Sequence, residues 1–313
     1  MDIKLAISAL LLTPAFAQAQ ADTINPYYKK FENSLAVQAF ALNTSNNFSI
    51  NYVQDNLIVD IIPNQKTTLG IAVQYDIISF SIGFAPKIFA NNRDNGGSRM
   101  TSYALNFFPR RFMQHFDLYY QRGMSLAVSG TDLYLPRLKS LKIGGNTSYF
   151  FNSNFSYRAT AFQSEKQLKS AGSFSPSLTY YYTELNGKEE PLLGDKSYFI
   201  DVALCPGYYY NWVIAKDFLV SGGASFGAGM TTTVDNDTTT ELLIAGALQI
   251  AMGYNSERLF CGVNLRANFF SHEAEQDVVM SNAISYATAF AGYRFDPPGF
   301  IAREKEKLYK KLK

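Results

Sequence analysis

Large apolar and small or polar residues alternate along most of the chain. In Leu69-Gly70-Ile71-Ala72-Val73-Gln74-Tyr75 every second residue is large and apolar, and the pattern resumes as Ile78-Ser79-Phe80-Ser81-Ile82-Gly83-Phe84. A helix, with its period of 3.6, would scatter these residues around its surface, whereas a strand sorts them onto two faces. Phe116, Leu118 and Tyr120 alternate with His115, Asp117 and Gln121; Ile200, Val202 and Leu204 alternate with Asp201, Ala203 and Cys205. Near the C-terminus Ile284, Tyr286, Thr288 and Phe290 alternate with Ser285, Ala287 and Ala289. The alternation predicts strands over 67–76, 78–85, 99–108, 115–128, 141–152, 154–165, 171–185, 198–210, 214–230, 239–254, 258–271 and 279–295.

Several of these strands exceed ten residues, the length a tilted membrane strand needs and more than a soluble sandwich strand usually has. Aromatic clusters fall near strand ends: Phe107-Phe108, Phe150-Phe151, Tyr180-Tyr181-Tyr182, and Tyr208-Tyr209-Tyr210 with Trp212. Such clusters suit the headgroup levels of a bilayer. The fold expected is all-β, a single antiparallel transmembrane β-barrel of about 12 strands (range 10–14). A secreted β-sandwich that binds carbohydrate or protein is the soluble alternative. The connections do not alternate cleanly. In the second half 186–197, 231–238 and 272–278 are long and 211–213 and 255–257 tight, but 86–98 and 129–140 fall in the opposite phase. That conflict implies either a miscounted strand between 150 and 200 or long turns on the periplasmic side.

Four segments follow. Residues 1–21 read as a secretory signal peptide, with an apolar core over 5–12 and an Ala-x-Ala ladder that offers cuts after Ala17, Ala19 or Ala21. Residues 22–66 read as extra strands or a plug, 67–295 as the barrel, and 296–313 as a tail whose basic part begins at Arg303. Aromatic residues make up 15% of the chain and charged residues only 17%, well below the soluble average. Net charge is +2, which implies no nucleic-acid partner. Export and a lipid-facing wall together imply the outer membrane of a Gram-negative bacterium, with its lipid and lipopolysaccharide as the surroundings.

Three stretches carry a resemblance. Residues 155–174, beginning Phe155-Ser156-Tyr157-Arg158-Ala159-Thr160, stand with Ile62-Pro63-Asn64 and with Phe116-Asp117-Leu118-Tyr119-Tyr120-Gln121. Together they resemble domain-of-unknown-function family 4421, found mainly in Bacteroides-type bacteria. The resemblance spans roughly 35–295 and implies an outer-membrane barrel without an assigned activity.

Candidate chemistry is sparse, and no catalytic, cofactor-binding or metal-binding residue is expected. The two histidines, His115 and His272, lack the local serine partner of a barrel hydrolase, the enzyme alternative. His272, Glu273, Glu275 and Asp277 could be drawn as a metal loop, but a solvated charged loop is the simpler reading. By parity His115, Asp117, Lys142, Arg158, Asp201, Glu241 and Arg266 line the lumen, where charge avoids the cost of about 2–4 kcal/mol that Lys or Arg meets at the lipid midplane. Arg122 and Arg294 break the apolar face and are expected to snorkel at an interface. Cys205 should face the lumen and Cys261 lipid, which leaves both thiols free.

Overall fold

Long strands joined by mostly short connections close into one ring. The computed structural model describes residues 25–299 apart from 64, 65, 90, 91, 93–97, 129, 130, 192, 194, 235–237, 276 and 277. The expected leader and most of the tail, 303–313 included, lie outside the described residues. Asn25–Asp296 form one compact unit. Its elements are β1 (Tyr28–Lys30), β2 (Leu35–Tyr52), β3 (Leu57–Pro63), β4 (Lys66–Tyr75), β5 (Ile78–Phe84), β6 (Arg99–Phe107), β7 (Phe112–Val128) and β8 (Thr131–Tyr149). A one-turn 3-10 helix (Arg158–Ala161) follows, then β9 (Glu165–Gln167), β10 (Ala171–Asn186), β11 (Lys196–Ala215), β12 (Phe218–Val234), β13 (Thr238–Asn255), β14 (Leu259–Glu275) and β15 (Val278–Phe295).

Every wall pairing is antiparallel, and β15 closes on β2 from Val278 opposite Tyr52 to Phe295 opposite Leu35. The ring has two circumferences. At the end that holds Leu35 and Phe295 it runs β2, β4, β5, β6, β7, β8 and β10 to β15, twelve strands among the described residues. At the other end β3 stands between β2 and β7, with Val59 opposite Val128, so the ring runs β2, β3, β7, β8 and β10 to β15, ten strands. A closed ring leaves no unpaired edge, the condition for a sheet to cross a bilayer. Its outer surface carries an apolar belt that includes Ile71, Phe80, Ile143, Leu204, Leu248 and Leu265, all exposed. At the wide end this belt gives way to exposed Phe112, Phe174, Tyr208, Tyr210, Trp212 and Phe218. The fold is therefore a transmembrane antiparallel β-barrel of the expected size.

Three sequence expectations are corrected. Residues 154–165 are not a wall strand: they hold the 3-10 turn and lead into β9, which pairs with β1 instead of the ring. Losing that strand removes the phase conflict, because β5, β10, β12 and β14 then all end toward the narrow end. Residues 131–140 belong to β8 and not to a loop; their exposed Thr131, Asp132, Pro136 and Arg137 mark strand that needs no apolar face. On β15 the faces are reversed, with Ile284, Phe290 and Arg294 buried inside while Ala283, Ala287 and Ala289 point out. As for 22–66, its residues 35–63 form β2 and β3 of the wall.

Candidate functional site

The lumen is the candidate site, and it is filled at three levels. At the wide mouth residues 150–170 fold inward between β8 and β10. Phe162 ends the 3-10 turn with φ +60°, a left-handed conformation that bulky residues avoid. Its ring compensates by packing among Ala36, Leu219, Ala251, Phe260 and Phe290. An inserted segment must have its backbone polar groups satisfied, and strand residues supply the partners. Arg294 Nε donates to Gln163 O at 2.7 Å and Nη1 to Ser256 O at 2.7 Å, while Nη2 reaches Phe162 O and Asn255 Oδ1. Its guanidinium stacks between Phe31, 3.7 Å to the ring centre, and Phe260, 4.8 Å. Only a planar fork with five donors can bond in several directions and stack on both sides. Asn211 Nδ2 donates to Ser156 O at 2.8 Å, and Asn255 Nδ2 to Glu165 O at 3.0 Å. From outside, β1 pairs with β9 and Phe31 N donates to Ser164 O at 2.9 Å, so the N-terminal segment is woven into the same insert.

The middle level is polar and aromatic. His115 Nε2 lies 2.8 Å from Asp117 Oδ2 and its Nδ1 2.6 Å from Asn106 Oδ1, while Tyr181 OH donates to Asp117 Oδ2 at 3.3 Å. Lys142 Nζ donates to Asn282 Oδ1 at 2.7 Å and sits over the rings of Tyr181 and Phe270 at 4.7 and 4.5 Å. Arg266 reaches Asn146 Oδ1 and Asn268 Oδ1, each at 3.2 Å. Asp201 Oδ1 accepts from Thr231 at 2.6 Å. Between these groups an inner cavity of about 20 Å³ borders Arg266, Tyr181 and Tyr209, and another of about 30 Å³ borders Asp201 and His272. Each holds about one or two waters. Toward the narrow end Phe48, Ile61, Met124, Leu135 and Leu138, from the neighbouring strands β2, β3, β7 and β8, pack together.

Of the seven residues expected in the lumen, His115 and Asp117 touch directly. Lys142 and Arg266 bond amides, and Glu241 is half-buried at the start of β13. Arg158 is the exception. It sits on the 3-10 turn and not on a strand, 3.3 Å from Glu165 and bonded to Phe108 O, because the segment that carries it is the insert itself. Arg294 is corrected as well: it is buried, not snorkelling. Alternation could not reveal its role, nor that of Asn211 and Asn255, because their partners are backbone atoms of a distant segment. Cys205 is buried on the lumen side and Cys261 exposed on the outer side, both free thiols. Of the stretch drawn as a metal loop, the side chain of Glu275 and all of Asp277 lie outside the described residues. Elsewhere no group of three or more His, Cys, Asp or Glu among the described residues could hold a metal ion.

A closed barrel with an apolar belt, an aromatic fringe and a packed interior defines the class as a membrane β-barrel. The family model described as Domain of unknown function (DUF4421) matches residues 20–295, and the chain belongs to that family. No curated protein matches the sequence. Among solved structures, the outer membrane protease OmpT of Escherichia coli aligns at 11% identity over 88% of this chain and 100% of that one, with TM-score 0.34. The COG4313 outer membrane channel of Pseudomonas putida F1 aligns at 8% identity over 89% and 100%, with TM-score 0.39. The translocator domain of the Neisseria meningitidis autotransporter NalP aligns at 11% over 83% and 88%, with TM-score 0.39. Likenesses of this size assign no activity to the chain.

Proposed function

We propose that the chain is a closed, non-catalytic barrel of a Gram-negative outer membrane, exported by its leader and set in lipid and lipopolysaccharide as a structural or docking component. The observation that carries this reading is the insert 150–170, held in the wide mouth by Arg294, Asn211 and Asn255. A solute path would have to displace it and then pass a middle level with room for only a few waters. The wide end faces the periplasm in this reading, since β2 begins and β15 ends there beside tight turns such as 76–77 and 216–217. The absence of catalysis is supported by His115, whose two ring nitrogens are taken by Asn106 and Asp117 and not by a nucleophilic hydroxyl.

The test is reconstitution of the purified protein into a planar bilayer. No stable conductance steps are expected, whereas reproducible open-channel current would overturn the closed reading. Heat-modifiable mobility on gels and dependence on detergent for extraction are expected alongside; full solubility without detergent would overturn membrane insertion. A lipase assay with the same sample should show no turnover.

A further inference from the structure

Three cations stand side by side on the outer wall. Arg99 of β6 lies directly opposite Arg122 of β7, and Arg122 directly opposite Lys139 of β8. Directly opposed residues share a face, and here the face is the outer one. Tyr103 and Leu105 share it with Arg99, and Ile143 shares it with Lys139, all three exposed, whereas Met100, Ser102, Ser140 and Lys142 are buried. Arg137, two residues from Lys139 on β8, is exposed as well. The row is local to this sector of the wall. β2, β3, β5, β10, β12 and β13 carry no Lys or Arg, and the strand cations Arg266 and Arg294 reach into the lumen. Lys196 of β11 is paired with Glu184 at 3.0 Å.

The row also falls at a definite height. Arg122 stands ten residues along β7 from Phe112, and Lys139 ten residues along β8 from Tyr149. Phe112 and Tyr149 face each other at the wide border, their ring centres 4.8 Å apart. Ten residues of strand cover about 33 Å, which a membrane strand's tilt of about 40° reduces to about 25 Å of height. That is the height of the apolar band on an outer-membrane barrel. On these strands one border of the band is therefore aromatic and the other cationic. Like charges directly opposite across strands repel, so the row calls for negative charge. The Glu189 carboxylate, from the 187–195 connection, bonds Lys139 Nζ and also feels the charges of Arg122 and Arg137. The neighbouring Glu190 is bound to the backbone N–H of Arg137. Glu189 is exposed and brings a single charge to cations that gather around it from two strands.

We propose that Arg99, Arg122, Arg137 and Lys139 bind the phosphate groups of lipid A, the membrane anchor of lipopolysaccharide. A guanidinium fork holds two phosphate oxygens at once, and the lysine adds a point charge. Lipid A suits the place on two counts. Its acyl chains lie along the apolar wall beside the row, where Tyr103, Tyr120 and Ile143 are exposed, and its phosphates end at the height of the row. The row lies on the face that meets the bilayer, so the occupant is a lipid and not a dissolved anion. The proposal rests on the orientation given above, in which the wide end faces the periplasm and the narrow end meets the outer leaflet.

The test is a titration of the intact protein in detergent micelles, with native mass spectrometry counting the lipid retained. The probes are bisphosphorylated lipid A, the same lipid without its phosphates, and phosphatidylglycerol. Lipid A is expected to bind most tightly of the three. Arg99→Gln, Arg122→Gln, Arg137→Gln and Lys139→Gln together should weaken its apparent affinity about a hundredfold. Should that variant fail to fold, Arg122→Gln with Lys139→Gln reads the same site, with a loss of about tenfold. Lys216→Gln with Arg258→Gln removes two exposed charges at the wide end and should change nothing. Lipid A affinity that survives loss of the row, or falls equally with the wide-end pair, would overturn the proposal. So would phosphatidylglycerol bound as tightly as lipid A. The orientation is read separately. In a Cys261→Ala background, the Lys188→Cys variant, exposed in the 187–195 connection, should react with an impermeant maleimide on intact cells. Absence of that reaction would overturn the orientation, and the lipopolysaccharide assignment with it, even where the row still held phosphate.

Discussion

The two ends of the lumen are closed by different means, and their circumference explains why. A barrel's diameter grows with its strand number, and only a small barrel can be filled by its own side chains. At the ten-strand end five apolar residues of the neighbouring strands β2, β3, β7 and β8, among them Leu138 and Met124, pack into one cluster that itself needs no hydrogen-bond partner. At the twelve-strand end the wall residues do not meet, and a length of polypeptide occupies the gap. That solution brings unpaired backbone groups into the interior, so the strands that surround it must carry Arg294, Asn211 and Asn255. The narrow closure is a matter of packing, the wide one of hydrogen bonding.

The contrast can be broken most strongly by removing the insert. Cys205 lies on the lumen side beside the inner cavity and is buried, which makes it a natural reporter of access from the wide mouth. In a Cys261→Ala background, replacing 152–169 by a short Gly/Ser linker should speed labelling of Cys205 by a water-soluble maleimide roughly a hundredfold or more, since no local opening is then needed. An unchanged labelling rate would mean that the insert does not control entry. Conductance should stay absent in the same variant, because the narrow end remains packed.

Next in size is Arg294→Met. The substitution keeps an apolar stem against Phe31 and Phe260 but orphans the carbonyls of Phe162, Gln163 and Ser256 and the amide oxygen of Asn255. Losing hydrogen bonds to a buried charged donor should cost about 3 kcal/mol or more, read as a lower midpoint for heat-modifiable mobility and as proteolysis within 150–170. At the other end Leu138→Ala should cost about 2–4 kcal/mol through the cavity it leaves, with no change in proteolysis of the insert. If the Leu138 variant also freed the insert, the two closures would be coupled and the distinction drawn above would fail.

The same contrast decides what could be read from the sequence. From Leu69 to Phe84 one face meets lipid and the other meets small lumen residues, so alternation in the sequence reports alternation in space. On β15 that rule inverts. Where the interior is packed with rings, Ile284, Tyr286 and Phe290 turn inward and alanines meet the lipid, so size no longer distinguishes the faces. The insert misleads for a related reason: Phe155, Tyr157 and Ala159 alternate with polar neighbours, yet the rings pack on Phe150 and Tyr209 inside the barrel rather than on lipid. Parity placed His115, Asp117 and Lys142 because each sits on a regular wall strand.

The smallest effect is at the rim of the wide closure, where Lys29 of β1 reaches the Glu257 carboxylate in the β13–β14 turn at 2.7 and 2.8 Å. The hydrogen bond from Lys29, and then its charge, hold the Glu257 carboxyl below its usual pKa. A depressed carboxyl pKa stabilises the folded state at pH values above the unfolded one, about 4.3, and that contribution fades as pH falls through the folded value. Both side chains are well exposed, at 46% and 67%, so water screens the pair. Lys29→Ala should therefore lower stability by less than about 1 kcal/mol at neutral pH and low salt. The difference between variant and wild type should shrink toward zero at about pH 3 and in high salt, where the pair is neutralised or screened. A loss as large as that of Arg294→Met, or one that persisted at pH 3, would show that β1 holds the insert by more than this ion pair. The N-terminal strand would then belong to the closure itself, as Arg294 does.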